Sequence, residues 1–332
     1  MLLAMLVCSL ASGGSLPGVL QRPADTLRLY AVGDINLGRR IAKERLESGD
    51  TLYPFAALLD TLRGADILFG NLESPIAPAG HEVERAGLVF TAPPVAAAAL
   101  ARAGFAIVST ANNHAWDGGR AGLAETIDRL GHAGVQCVGT GFGRPMAQAA
   151  VMVRRRGWRV AFFAVTRAFN AELGAFYSHE GANYVAWGDT TWLHPALRAL
   201  KASGRADFVV VSVHGGEEYT AEPRPEYAAF LAGLVDAGAD LVIGHHPHVL
   251  QAVVWRRGKP IVPSLANFIF AQEEPWAQLS AILRVVVAPD GSVQLSAIPV
   301  RAGLQAQLAP GPAADSIGRR LGIRLSTTDT VP

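Results

Sequence analysis

Three histidines fall within four positions of Leu241-Val242-Ile243-Gly244-His245-His246-Pro247-His248-Val249-Leu250-Gln251, in a chain of 332 residues that has only nine. His246 and His248 flank Pro247, whose ring fixes φ and stiffens the turn. Two imidazoles held on a rigid turn suit metal ligation, because imidazole nitrogen is a good donor to zinc, iron and nickel. Spacing alone does not close a coordination sphere, and an isolated His-x-His is equally compatible with a loop whose ring nitrogens are satisfied locally. The other donors of a metal site recur along the chain. Asp34 stands in Gly33-Asp34-Ile35-Asn36-Leu37-Gly38-Arg39, and Asn71 and Glu73 in Gly70-Asn71-Leu72-Glu73-Ser74-Pro75. Asn112, Asn113, His114 and Asp117 lie close together, and His214 precedes Gly215-Gly216-Glu217-Glu218-Tyr219. Asp, Glu, Asn and His together form the oxygen and nitrogen donor set of a dinuclear site. Two ions a few ångströms apart can clamp a phosphoryl group. Cys8 and Cys137, the only cysteines, supply neither a disulfide framework nor a thiolate site, so any metal here is held by nitrogen and oxygen.

Each of these clusters follows an apolar run and a turn. Strands are predicted at 27–32, 65–69, 104–109, 158–165, 206–213 and 241–243, with a short one at 135–138. Their content of β-branched and aromatic residues supports that reading. Helical stretches come between them, at 93–103 with Pro93 at its start, at 121–130, and at 225–237. In the last, Tyr227, Phe230, Leu231, Leu234 and Val235 recur at helical spacing and read as core. Two further helical stretches follow Arg39 and begin at Tyr53. Strands at 279–287 and 292–300, joined through Pro289-Asp290-Gly291, form a closing hairpin, and Arg154-Arg155-Arg156-Gly157 is a solvated hairpin turn. In open α/β sheets ligands bind beyond the carboxyl ends of the strands, so five polar strand ends on alternating β/α units converge on one rim. Taken singly, Asp34 also fits a helix cap or a turn. Residues 166–192 are aromatic and irregular, the character of a lid or a substrate wall. His81, His179 and His194 read as surface, and His132 as a cation favouring a helix carboxyl end.

Half the residues are hydrophobic, 17% are charged, and the formal net charge is +1. That describes a well-buried globular chain, not a disordered one, and excludes a nucleic-acid partner on charge. Leu2 to Leu10 is an apolar run too short to span a bilayer. The small residues Ala11-Ser12-Gly13-Gly14-Ser15 follow it, as they do in an export signal, although no Lys or Arg precedes Arg22. Residues 1–25 are therefore read as a signal-like or anchor segment of an exported, extracytoplasmic protein, membrane-associated only through that end. Residues 27–300 read as one domain without internal repeats. Residues 301–332 form a polar extension with a short helix near 313–321.

Taken in order, Gly33-Asp34 to Arg39, Asn71-Leu72-Glu73, Ala111-Asn112-Asn113-His114, His214 to Glu218-Tyr219, Gly244-His245-His246-Pro247-His248-Val249 and Ser264-Leu265-Ala266-Asn267-Phe268 resemble the motifs of a bacterial family. It is the capsule-synthesis family CapA, also called poly-γ-glutamate synthesis proteins. The resemblance spans about residues 27–300. That family is similar in turn to the calcineurin-like metallophosphoesterases, which implies a four-layer α/β/β/α sandwich. It also implies that Asp34, Glu73, Asn113, His214, His246 and His248 are ligands of one or two divalent ions (Mn, Zn, Fe or Mg), which activate water. By the same resemblance His114 acts on the phosphoryl group or its leaving group, and Arg39 holds an anionic oxygen. Asn36, Asn71, Asn112, Glu218, His245 and Asn267 stand behind the ligands. The implied partners are an envelope or capsule polymer, or its precursor, and membrane-bound synthesis proteins. Four positions depart from the pattern: Asn36 stands where the phosphoesterases have histidine, Glu73 where they have aspartate, Gly215 for a tryptophan and Ala266 for a glycine. Asn36 is the poorer ligand and favours the alternative, a metal-stabilised scaffold subunit without catalysis. A plain α/β protein with surface histidines is the third reading.

Overall fold

The computed structural model describes residues 23–78, 88–170 and 181–326. Cys8, His81, His179 and the apolar run at 2–10 lie outside these residues.

Two sheets carry the fold. The first contains β1 (Leu27–Ile35), β2 (Ile67–Leu72), β3 (Phe105–Ser109) and β4 (Gln136–Val138), which run parallel. It continues from β1 through β12 (Leu279–Val287), β13 (Val293–Arg301) and β14 (Gln307–Leu308), all antiparallel neighbours. The second has the order β5 (Val151–Arg155), β6 (Trp158–Thr166), β7 (Phe208–His214), β8 (Leu241–His245), β10 (Lys259–Val262) and β9 (Val254–Arg256). Here β6, β7, β8 and β10 are parallel. A short strand, β11 (Asn267–Ile269), pairs with the end of β1.

Side chains alternate across a strand, and here the alternation sorts residues into layers. Leu29 and Phe69 of the first sheet share a core with Phe162, Val210 and Ile243 of the second. Phe69 and Phe162 stack across the seam with centroids 5.5 Å apart. The neighbouring residues Tyr30, Leu68 and Phe105 face the other way, against Phe55, Leu58 and the helix α1 (Ala96–Ala103). In the second sheet Val209, Val211 and Val242 face α3 (Thr190–Ala202) and α4 (Pro225–Ala237). The helix α2 (Gly119–His132) follows β3 and contributes Leu123 and Leu130 to the cores. This is the expected α/β/β/α arrangement. Every such apolar side chain, fully buried, contributes about 1.5–3 kcal/mol.

Several elements differ from expectation. The irregular stretch predicted to reach residue 192 gives way at Thr190 to α3, whose start Asp189 caps by accepting from the Thr191 N–H at 2.8 Å. Pro195 lies inside that helix and disguises it, since interior proline reads as a breaker. The first helical stretch is a mixed α and π segment over 39–46, and the second begins as a 3₁₀ turn at Tyr53. The helix expected near the C-terminus is α5 (Gly311–Leu321), which buries Ile317 and Leu321 against Ala281 and Ala297.

The segment at 263–269 ties the two sheets together at their carboxyl ends. Asp34 N–H donates to Ala266 O at 2.9 Å, and Leu265 N–H to Gly244 O at 3.3 Å. Two glycines allow that approach: a Cβ at Gly33 would lie 1.9 Å from Ala266 O, and one at Gly244 would lie 1.7 Å from Pro263 O. The rims carrying Asp34 and the histidine turn are thus held against each other.

Candidate metal centre

Asp34 is fully buried at the end of β1. Its Oδ1 accepts from Asn71 Nδ2 at 2.8 Å and lies 3.3 Å from His245 Nδ1. Its Oδ2 accepts the His246 N–H at 3.1 Å and lies 3.5 Å from His248 Nδ1. Burial opposes ionisation of this carboxyl. The contacts with His245, His248 and the His246 amide outweigh it and hold the pKa below its ordinary value.

Glu73 sits just past β2, equally buried, and neither carboxylate oxygen has a hydrogen-bond partner among the described residues. His214 Nε2 is 3.8 Å from Glu73 Oε1, and His114 Nε2 is 4.0 Å from it. Burial, then the nearby charges of Asp34, Glu218 and Asp117, push the Glu73 carboxyl well above the usual range. Burial, then the neighbouring imidazoles, hold His214 well below the usual histidine value. Burial and His248 bring His246 down to about 3. Both rings are therefore neutral at physiological pH, the form that ligates metals.

Three groups of donors each have ligand atoms within 4.8 Å of one another: Glu73, His214 and His246; Glu218, His246 and His248; and Asp34, Glu73 and His248. The groups share members, as the ligands of two adjacent ions do. A buried carboxylate without a hydrogen-bond donor, facing neutral imidazoles, is the environment a divalent cation completes. His246 Nδ1 is likewise without a partner. His248 donates from Nδ1 to Asn267 Oδ1 at 2.8 Å, which leaves Nε2 as its ligand atom. The residues present therefore fit a divalent ion.

The asparagines brace this cluster. Asn113 Oδ1 and His214 Nε2 are 2.8 Å apart, and Asn71 Nδ2 lies 3.2 Å from His214 Nδ1. Asn112 Nδ2 donates to Leu72 O at 2.8 Å and to Asn71 Oδ1 at 3.3 Å, and its Oδ1 accepts the His114 N–H at 3.1 Å. Asn36, at the position of the expected histidine, instead accepts the Gly38 N–H at 2.9 Å and shapes the loop that carries Arg39.

A cleft of about 500 Å³ opens over the cluster, walled by Arg39, Phe90, His114, Phe169, Tyr219 and Phe270. Phe169 and Asn170 bring the start of the expected substrate wall into it, and Asn170 bonds both the side chain and the backbone of Asn113; residues 171–180 lie outside the described ones. Arg39 stands with its guanidinium 5.7 Å over the Phe90 ring. Arg39, Tyr219, His246, His248 and Ala266 all have φ between 52° and 95°, strained backbone that gathers where function demands geometry. His194 and His132 stand elsewhere: His194 beneath Gly233, His132 at the exposed end of α2, where it bonds Asp128 O.

Asp117 is a functional candidate that motif reading left without a role. It is fully buried, its Oδ2 lies 2.7 Å from His114 Nδ1, and the same oxygen accepts the Phe90 N–H at 2.7 Å. Phe90 stacks on the His114 ring at 3.8 Å. The three-residue spacing of His114 and Asp117 on one tight turn was the available signal.

Two solved structures from Thermus thermophilus align with this chain at a TM-score of 0.47. One is a hypothetical protein, 16% identical over 82% of this chain and 99% of its own. The other is the sulfate thiohydrolase SoxB, 17% identical over 92% of this chain and 60% of its own. The capsule biosynthesis protein CapA of Bacillus anthracis is 32% identical over 317 residues, 94% of this chain and 75% of that protein. The PGA biosynthesis protein CapA of Bacillus subtilis (strain 168) is 27% identical over 95% and 81%. A probable polyglutamine synthesis accessory protein of Mycobacterium tuberculosis is 29% identical over 70% and 63%. The family described as Bacterial capsule synthesis protein PGA_cap matches residues 28–272, and the chain belongs to that family.

Proposed function

We propose that this capsule-synthesis family member is a metal-dependent hydrolase acting on an envelope or capsule polymer, or on its precursor, alongside membrane-bound synthesis proteins. The observation that carries the reading is Glu73, a buried carboxyl group that has no hydrogen-bond partner among the described residues and faces neutral imidazoles. Asp34, Glu73, Asn113, His214, His246 and His248 would hold one or two divalent ions (Mn, Zn, Fe or Mg), and the reach of Glu218 to His246 and His248 adds an oxygen on the open side. A divalent ion supplies a Lewis acid that polarises an acyl or phosphoryl oxygen and acidifies water.

The chain's own residues do the rest. Arg39 binds an anionic oxygen of the substrate at the cleft wall. Asp117 fixes the His114 ring through Nδ1, which leaves Nε2 to deliver a proton to the leaving group. Phe90 and Phe270 set apolar faces against His114 and His248 in the cleft wall. The test is metal content and turnover on the same preparation, against phosphomonoesters, phosphodiesters and an oligoglutamate. Full metal occupancy with no turnover on any of them would reject the enzyme. It would leave the scaffold reading, which the use of Asn36 in a loop turn favours.

Export belongs to the same proposal and rests on the apolar run at 2–10. Among the described residues no helix is long and apolar enough to cross a membrane. Residues 1–30 fused to a reporter active only outside the cytoplasm are expected to light it, and a silent reporter with cytosolic fusion protein would reject export.

A further inference from the structure

The start of β1, with β12, β13 and residues 324–326, carries a second cleft, of about 900 Å³, lined in part by Arg28, Arg156, Arg284 and Arg324. Strand register places the chemistry. Arg28 pairs with Val286 and Tyr30 with Arg284, so Arg28 and Arg284 are diagonal neighbours on one face, about 7–8 Å apart. Arg324 arrives from the chain after α5, where Leu325 bridges to Ala297 of β13. Arg28 and Asp34 stand six positions apart on β1, about 20 Å, so this cleft is remote from the candidate metal centre.

The guanidiniums are not equally neutralised. Arg28 contacts Asp66 through Nε at 3.4 Å, and Arg156 lies 3.7 Å from the same carboxylate. Asp25 also lines the cleft. Among the described residues Arg284 has no such partner: it is 6% exposed, its Nε makes no hydrogen bond there, and its guanidinium stands 5.6 Å over the Tyr30 ring. Arg324 pairs with no carboxylate among the described residues. Burying a guanidinium without an anion is costly, and the cleft around Arg284 is lined from the start of β1, from β12 and β13, and from residues 324–326. The space exceeds what one small anion fills.

We propose that this cleft binds a polycarboxylate chain, with successive carboxylates of the ligand meeting Arg284 and Arg324. Guanidinium pairs carboxylate in a bidentate fork, and several forks in one groove select a chain over a single anion. The inference does not depend on the metal centre or on hydrolysis.

The test uses the full-length, metal-loaded protein and a labelled hexaglutamate peptide, with free glutamate and inorganic phosphate as competitors. Binding is expected to weaken with rising salt, to fall about tenfold or more in Arg284→Gln and Arg324→Gln, and to persist in His246→Ala. Arg324 is exposed, so its variant separates loss of binding from loss of fold, and a melting curve checks Arg284→Gln. Four outcomes would overturn the proposal: no binding; equal binding by both arginine variants; loss of binding in His246→Ala, which would move the peptide to the metal centre; or displacement by free phosphate or glutamate at the peptide's own concentration, which would make this a single-anion site.

Discussion

Glu73→Gln is expected to remove the protein's stabilisation by divalent ions without unfolding it. The carboxyl group belongs to two of the three donor groups, so its loss weakens an ion held by either. An ion present at a thousand times its dissociation constant stabilises the folded chain by about 4 kcal/mol, and the variant should forfeit most of that. Metal-free protein should behave differently. With its pKa raised well above 4.5, Glu73 holds in the folded state a proton that the unfolded chain has already released. Its contribution to stability is therefore complete below the unfolded value and is lost as pH rises through the folded one. Glutamine, neutral throughout and of the same size, lacks that falling limb, so the metal-free variant should gain on the parent as pH rises.

His214 and His246 set the opposite slope. Both are depressed below 6.5, so their contribution is complete above that value and is lost as pH falls, when the unfolded chain takes up protons first. Ion binding to the parent must expel the Glu73 proton, and its affinity should weaken about tenfold per pH unit below the folded Glu73 pKa. Thermal melts with and without chelator across pH, and calorimetry in buffers of different ionisation heat, read both effects. A variant that keeps full metal occupancy, or the parent's proton release, would remove Glu73 from the centre.

The strand ends were legible because each follows the same local rule: an apolar run, then a glycine or turn, then a polar donor. The Pro225–Ala237 helix was legible to the residue, because Pro225 opens it and Gly238 ends it with φ at 125°. Edge strands were not. Val254, Trp255 and Arg256 are all exposed and show no alternation to find. The segment at 263–269 was legible as a motif through Ser264–Phe268, but its tying role was not, because that role is a set of backbone bonds to Asp34 and Gly244, which leave no side-chain pattern. Arg28, Arg284 and Arg324 meet only through pairing between distant strands, so no window of sequence contains their cleft. Asn36 shows the limit of motif reading in the other direction: its position suggested a weak ligand, and its amide oxygen is spent on the Gly38 N–H.

His114→Ala is expected to cut hydrolysis of an alkyl phosphodiester by about 10²–10⁴, the usual worth of a positioned acid, with metal content unchanged. The competing role for His114 is as a prop for Asn113, the proposed metal ligand, and loss of such a prop would lower metal affinity about 10–100-fold. The geometry argues against a prop acting through the ring. His114 reaches Asn112 through its backbone N–H, which alanine retains, while the ring is pinned by Asp117 and stacked on Phe90. Asp117→Asn keeps the ring but replaces the carboxylate that accepts from Nδ1, so it should slow turnover by a smaller factor and also leave metal in place. A leaving-group series separates proton delivery from a mere loss of packing. A nitrophenolate departs without a proton, so the His114→Ala defect should nearly vanish on a nitrophenyl ester and be largest on an alkyl one. A defect of equal size on both would deny His114 the acid's role, and a fall in metal content in either variant would make the pair a support for Asn113.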